Sequence, residues 1–186
     1  WFESILLDQL VNFKIKGNKL MNKILLYPDP FLKKEATKVD DVNKSSVQYE
    51  INYMVKIMEK IESGLGLSSI QVGIKDSIIL YRAGGKPKDN LKVLINAKIS
   101  AVLDTNLQRS EEGCFSLPEI FIPIRRYKKI EVTGLDEYGG NIRIIAKEML
   151  SNVLQHEIDH INGILMIDRL SRLQKNLFKK RLKGIK

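Results

Sequence analysis

The chain has 186 residues, with 31 Lys+Arg, 22 Asp+Glu, two His and one Cys. That length suits one domain with a single core; one Cys excludes an intramolecular disulfide framework and points to a reducing compartment; and no apolar run approaches the roughly 20 residues that span a bilayer. The formal charge of +9 is unevenly spread, because residues 171–186 hold seven basic residues and no acid, so a nearly neutral body is followed by a basic tail.

In chain order, residues 1–20 contain Glu3 and Asp8 but no Arg, which fits neither a signal peptide nor an Arg-rich transit peptide. Phe2, Leu6, Leu10 and Phe13 have helical spacing, and the segment is expected to be an N-terminal extension, with an organellar leader remnant as the alternative. Met21 opens MNKILLYPDPFL, which reads as a natural beginning and contains a turn-rich Tyr27–Pro30. Val47, Ile51, Met54, Val55, Met58 and Ile61 predict a helix over 46–63, ended by Ser63-Gly64. Residues 64–73 read as a Gly-punctuated loop. Strands are predicted at Ile78–Arg82, Val93–Asn96, Ile99–Leu103, Lys129–Leu135 and Ile142–Ala146, the last two joined by the turn Glu137-Tyr138-Gly139-Gly140. A helix from Lys147 to Asn162 follows, with Gly163 suited to a left-handed position beyond its end. The tail 171–183 predicts a second, basic helix, with Leu170, Leu173 and Leu177 as its docking stripe. Helix, several short strands, then helix argues for an α+β fold.

The chemistry concentrates in His156-Glu157-Ile158-Asp159-His160, an HExxH pattern on the late helix. Residues four apart share a helix face, so both imidazoles can bind one ion, and Glu157 can exchange a proton with metal-bound water. These are the only two histidines in the chain. Met149 and Val153 precede them on the same stripe, either as core packing or as an apolar wall beside the ion. A catalytic site needs a third ligand. In HExxHxxGxxH proteases that ligand is a third His, but here Gly163 is in place and the final position is Met166. The remaining soft ligand is the lone thiol, Cys114, in Glu112-Gly113-Cys114-Phe115-Ser116, where Gly113 hints at a close backbone approach. Gln71, in Gly64-Leu65-Gly66-Leu67-Ser68-Ser69-Ile70-Gln71, offers an amide that could face an oxyanion, or is an exposed loop side chain. The loop lacks the GK[ST] of a phosphate loop. From residue types alone a zinc endopeptidase and a basic RNA- or ribosome-binding domain with a structural metal both remain open.

Together the three motifs resemble peptide deformylase, a family marked by a GxGLAAxQ loop, an EGCxS segment and a QHExDH helix in that order. Here they read GLGLSSIQ (64–71), EGCFS (112–116) and QHEIDH (155–160), and the resemblance runs from about Met21 to Leu170. It implies a catalytic domain over 21–170 between the 1–20 extension and the 171–186 basic helix, with short, mostly antiparallel strands packed around a central metal-binding helix. It implies metal-dependent hydrolysis of the N-formyl group from the N-terminal methionine of newly made proteins, releasing formate. Residue by residue, it implies that Cys114, His156 and His160 bind the metal and that Glu157 is the general acid/base. Gln71 and the Phe115 backbone N–H would form the oxyanion site, Leu65 and Gly66 would pair with the substrate backbone, and Met149 and Val153 would line the methionine pocket. Arg126 would pair with Asp159 as a helix anchor.

The donor set leaves Fe²⁺, Zn²⁺, Ni²⁺ and Co²⁺ open; the resemblance favours Fe²⁺, with the others able to replace it in purified protein. It also implies a bacterial cytoplasmic setting, with an organellar one as the alternative, and formylated nascent peptides as partners. Ribosome contact through the basic C-terminal helix is an expectation, and neither membrane nor DNA is an expected partner. Two positions depart from the family pattern. Ser68-Ser69 replaces Ala-Ala, so each hydroxyl needs a partner if buried. Phe115 replaces Leu, which keeps the N–H and changes the shape beside the thiol.

Overall fold

The computed structural model describes residues 24–61 and 63–185, with backbone alone at Lys179; the helix expected within 1–20 lies outside these residues. The sequence Ile78-Ile79-Leu80-Tyr81 is continuously apolar because its strand is covered on both faces. Ile78 and Leu80 pack toward one helix, and Ile79 and Tyr81 toward another, as the two-residue period of a strand requires. The five strands are β1 (Gly66–Ser68), β2 (Ile78–Arg82), β3 (Leu91–Cys114), β4 (Leu117–Leu135) and β5 (Asn141–Lys147), and they form one sheet in that order, each antiparallel to the next. The α+β class is as expected. The expected short strands at 93–96 and 99–103 are parts of one 24-residue strand, whose ladder to β4 is kinked by several register shifts. Such bulges let a long ribbon bend and twist.

Helix α1 (Ser45–Glu59) buries Val47, Ile51, Met54, Ile57 and Met58 against one face of the sheet. It stops short of the expected end at 63, although Ile61 remains buried beyond it. Helix α2 (Glu148–Ile161) crosses the other face, setting Val153, Leu154, Ile158 and Ile161 against Ile79, Leu94, Ile130 and Val132. Its C-terminus ends as expected. Gly163 has φ +68°, its N–H donates to His160 O, and the N–H of Ile164 donates to Asp159 O, which is the 5→2 and 6→1 pairing of a Schellman motif. A side chain there would meet the Lys33 carbonyl at 2.5 Å.

The segment expected to be a loop is ordered differently. Gly66–Ser68 pairs with β2, and Ser69–Val72 makes a 3₁₀ turn closed by Gly73 at φ +77°. A third apolar cluster, including Leu32, Ile70, Leu117, Ile122 and Leu165, lies near the β3–β4 tip. Helix α3 (Arg172–Lys183) is capped by Ser171, whose hydroxyl accepts from the Gln174 N–H. Its docking stripe is Phe178 and Leu182, continued by Ile185, which pack on that third cluster. The expected stripe is corrected: Leu170 is buried, but Leu173 and Leu177 are each 74% exposed.

Glu50 on α1 lies beside Asp76. Burial, then the neighbouring carboxylate and a hydrogen bond to it, push Glu50 up to about 7. An acid whose folded pKa is raised contributes stability that is complete below its unfolded value and is lost as pH rises through the folded value. Glu50→Gln should therefore melt higher than the parent above pH 7 and equally at pH 4, as scanning calorimetry would read. A constant gap at both pH values would contradict the assignment.

Candidate metal centre

Cys114 is the last residue of β3, and Phe115-Ser116 is the two-residue turn between it and its ladder partner Leu117. Gly113 precedes it, and a Cβ there would sit 2.8 Å from the Phe121 ring, which would have to shift. The tip places the thiol against α2, where His156 and His160 stand one turn apart. Cys114 Sγ is 3.2 Å from His160 Nε2, which is 3.2 Å from His156 Nε2, and the three donor atoms lie within 4.8 Å of one another. Two imidazole nitrogens bound at about 2.1 Å to a tetrahedral ion stand roughly 3.4 Å apart, so the three fit a single ion.

Behind this cluster is a buried chain of ion pairs. Glu112 Oε2 accepts from His156 Nδ1 at 2.8 Å, which leaves Nε2 to face the other donors. Arg126, 1% exposed, holds Glu112 in a fork through Nε and Nη2 at 2.7 and 2.8 Å. Its Nη1 reaches Asp159 at 2.5 Å, the expected anchor, and Arg169 pairs with the same carboxylate. Burial alone would raise Glu112, but the hydrogen bonds from Arg126 and His156 prevail and hold it at about 2. The sequence motif alone assigns Glu112 no role. The signal for it was its place two residues before Cys114, since alternate residues of a strand share a face.

Glu157 is 4% exposed. Burial, reinforced by Glu112 and Asp159 and opposed by His156 and Arg126, pushes it up to about 7, and Oε2 has no hydrogen-bond partner among the described residues. Its neighbour is Gly66: a Cβ there would lie 2.5 Å from Glu157 Oε1. Gly66→Ala should displace the carboxylate and lower kcat/KM by roughly 10²-fold with metal content intact, since an ångström of misplacement can cost that much. An unchanged kcat/KM would show that the contact is slack.

Gln71 is buried, contrary to the exposed reading. The Ser68 N–H donates to its Oε1 at 2.9 Å, so Nε2 faces Cys114 Sγ at 3.4 Å and Ser116 Oγ at 3.3 Å. Ser68 and Ser69 are fully buried, and their hydroxyls have no partner among the described residues. Phe115 is half-buried against the α1 cluster. Leu65 packs toward α2 and precedes β1, an edge strand of the sheet. Val153 is buried in the α2 core, whereas Met149 is 40% exposed, beside Gly85.

Residues 21–176 match the sequence pattern of the polypeptide deformylase family. The chain belongs to the peptide deformylase family. It is 38% identical over 161 residues to peptide deformylase 2 of Vibrio parahaemolyticus, covering 87% of this chain and 93% of that one. It is 40% identical over 162 residues to the peptide deformylase of Thermodesulfovibrio yellowstonii, covering 87% and 96%. Among solved structures, a peptide deformylase from Legionella pneumophila superposes with TM-score 0.77 at 34% identity, covering 87% and 92%. The Ehrlichia chaffeensis enzyme in complex with actinonin gives TM-score 0.77 at 30% identity, covering 87% and 95%. The family's reaction is metal-dependent removal of the N-formyl group from new proteins, and this chain is an enzyme of that class.

Proposed function

We propose that the chain hydrolyses the formyl group of N-formylmethionyl peptides at the Cys114–His156–His160 centre, with Glu157 as its acid/base. The observation that carries this reading is the convergence of the chain's only thiol and only two imidazoles beside a buried carboxyl raised to about 7. A transition-metal ion bound there would lower the pKa of a coordinated water toward neutrality. Glu157, balanced near neutral pH, accepts the proton of the attacking water and returns it to the leaving amine. Charge growing on the formyl oxygen meets the Gln71 amide, held in place by the Ser68 N–H, and the Phe115 backbone N–H; one such donor is worth about 3 kcal/mol. Among the described residues β1 is an edge strand of the sheet, which suits an extended peptide bound through the backbone of Leu65 and Gly66. Met149 and Val153 supply the apolar wall for the methionine side chain.

Fe²⁺ is the proposed cellular ion; Zn²⁺, Ni²⁺ and Co²⁺ suit the same donors. No helix among the described residues is long and apolar enough to cross a membrane, and the proposed setting is the bacterial cytoplasm. The exposed basic face of α3 is proposed to contact the ribosome, which removal of 171–186 would test: salt-sensitive ribosome binding should fall while small-peptide activity persists, and undiminished binding would reject the contact. For the reaction itself, the metal-loaded chain should release formate from formyl-Met-Ala-Ser and leave internal peptide bonds intact. Internal cleavage without formate would favour an endopeptidase.

A further inference from the structure

Arg109 and Arg125 stand directly opposite each other across β3 and β4, and both are exposed. Like charges at opposed ladder positions are destabilising. Among the described residues neither guanidinium has an acidic ion-pair partner. They border a cleft of about 480 Å³ that Arg169, Leu170 and Gln174 also line. Leu170 precedes the Ser171 cap of α3 and Gln174 lies in its first turn, so the positive end of that helix's dipole lies at the same cleft. Arg169 already meets Asp159, so among the described residues Arg109 and Arg125 are the two guanidiniums of the cleft that form no ion pair.

We propose that this cleft binds a phosphate group, either free or carried on an RNA backbone. Guanidinium forks match the oxygens of a phosphate, and a dianion between Arg109 and Arg125 turns their repulsion into attraction. Gln174 adds an amide at the same rim. The exposed Arg172, Lys175, Lys180 and Arg181 of α3 extend the positive field beyond the cleft, as suits a ligand with further phosphates. This site goes beyond the deformylation reading, since none of its residues belongs to the Cys–His–His centre, and its RNA arm deepens the ribosome contact proposed for α3 by adding Arg109 and Arg125 of the β3–β4 ribbon, which lie outside 171–186.

The test uses the full-length, metal-loaded chain, the double variant Arg109→Gln/Arg125→Gln and the charge-matched control Lys92→Gln/Lys98→Gln. All four side chains are exposed, so the folds should persist, and melting curves would verify this. Two probes are used: inorganic phosphate, read by the rise in Tm, and a fluorescein-labelled 12-base-pair RNA duplex, read by anisotropy across a salt series. Two outcomes support the site. A phosphate-induced Tm rise in the parent and control that is absent from the arginine variant identifies free phosphate as a ligand. RNA binding weakened about tenfold in the arginine variant alone, with a salt slope shallower by about two, identifies a nucleic-acid backbone. If the arginine variant and the control match in both assays, the proposal is overturned. Neither readout involves formate, so the site can fail while the deformylase reading stands.

Discussion

Glu157→Gln is expected to lower kcat/KM for a formylated peptide by about 10²–10⁴-fold, the range removed with a general acid/base. Metal content and melting temperature should hold. Gln has the shape of Glu, and the carboxylate it replaces is buried with one oxygen unpartnered and forms no ion pair among the described residues. Burial outweighs the stabilising charges of His156 and Arg126 and pushes the carboxyl to about 7. A formate-release assay beside a metal determination checks this. A variant within tenfold of the parent would remove Glu157 from the proton transfers.

Arg126→Met should have the largest effect on stability, a loss of about 3–5 kcal/mol. Removing one member of a buried ionic network leaves its partners charged and unpaired. For a chain of this size each kcal/mol lowers Tm by roughly 2–4 °C. Glu112 would lose both bonds of its fork, and Asp159 would keep only Arg169. The damage should reach the metal as well. Glu112 holds the His156 ring through Nδ1, and disturbing such an outer partner typically costs 10–100-fold in metal affinity. The acid side of the stability curve should change too. With its folded pKa held at about 2, Glu112 contributes stability that is complete above its unfolded pKa and is lost as pH falls toward 2. The variant should lose the share of that contribution that Arg126 supplies, with His156 keeping the rest. Calorimetry showing a Tm within about 2 °C of the parent, with metal affinity unchanged, would mean that the network is decorative.

How much of this was legible in the sequence depended on how each element is buried. Helix α2 was readable to within a residue, because Val153, Leu154, Ile158 and Ile161 recur at helical spacing on its sheet-facing side and Gly163 marks its end, although every residue from Ser151 to Ile161 is buried. Strand β2 was readable because both faces are covered, which leaves an unbroken apolar run. The full length of the β3–β4 ribbon was not, since Val102, Leu103 and Leu107 of β3 are exposed and the ladder is broken by bulges; alternate burial survives on β4 at Ile120, Ile122 and Ile124 and again at Ile130 and Val132, and only pieces of the ribbon read as strands. That gap hid Glu112, whose partners Arg126 and His156 are 14 and 44 residues away. Gln71 read as a loop residue because the pairing of β1 with β2 is a tertiary fact. On α3 two leucines suggested the buried stripe, but the surface they would need lies instead under Phe178 and Leu182. The convergence of Cys114, His156 and His160 was legible for a simpler reason: the chain has no other thiol or imidazole to offer.

The central claim is that one ion is held by Cys114, His156 and His160. X-ray absorption at the metal edge of anaerobically purified protein tests it most directly. The account predicts a single sulfur neighbour at about 2.3 Å with nitrogen or oxygen neighbours at about 2.0–2.2 Å. A spectrum without sulfur, or one requiring two sulfur atoms per metal, would contradict it.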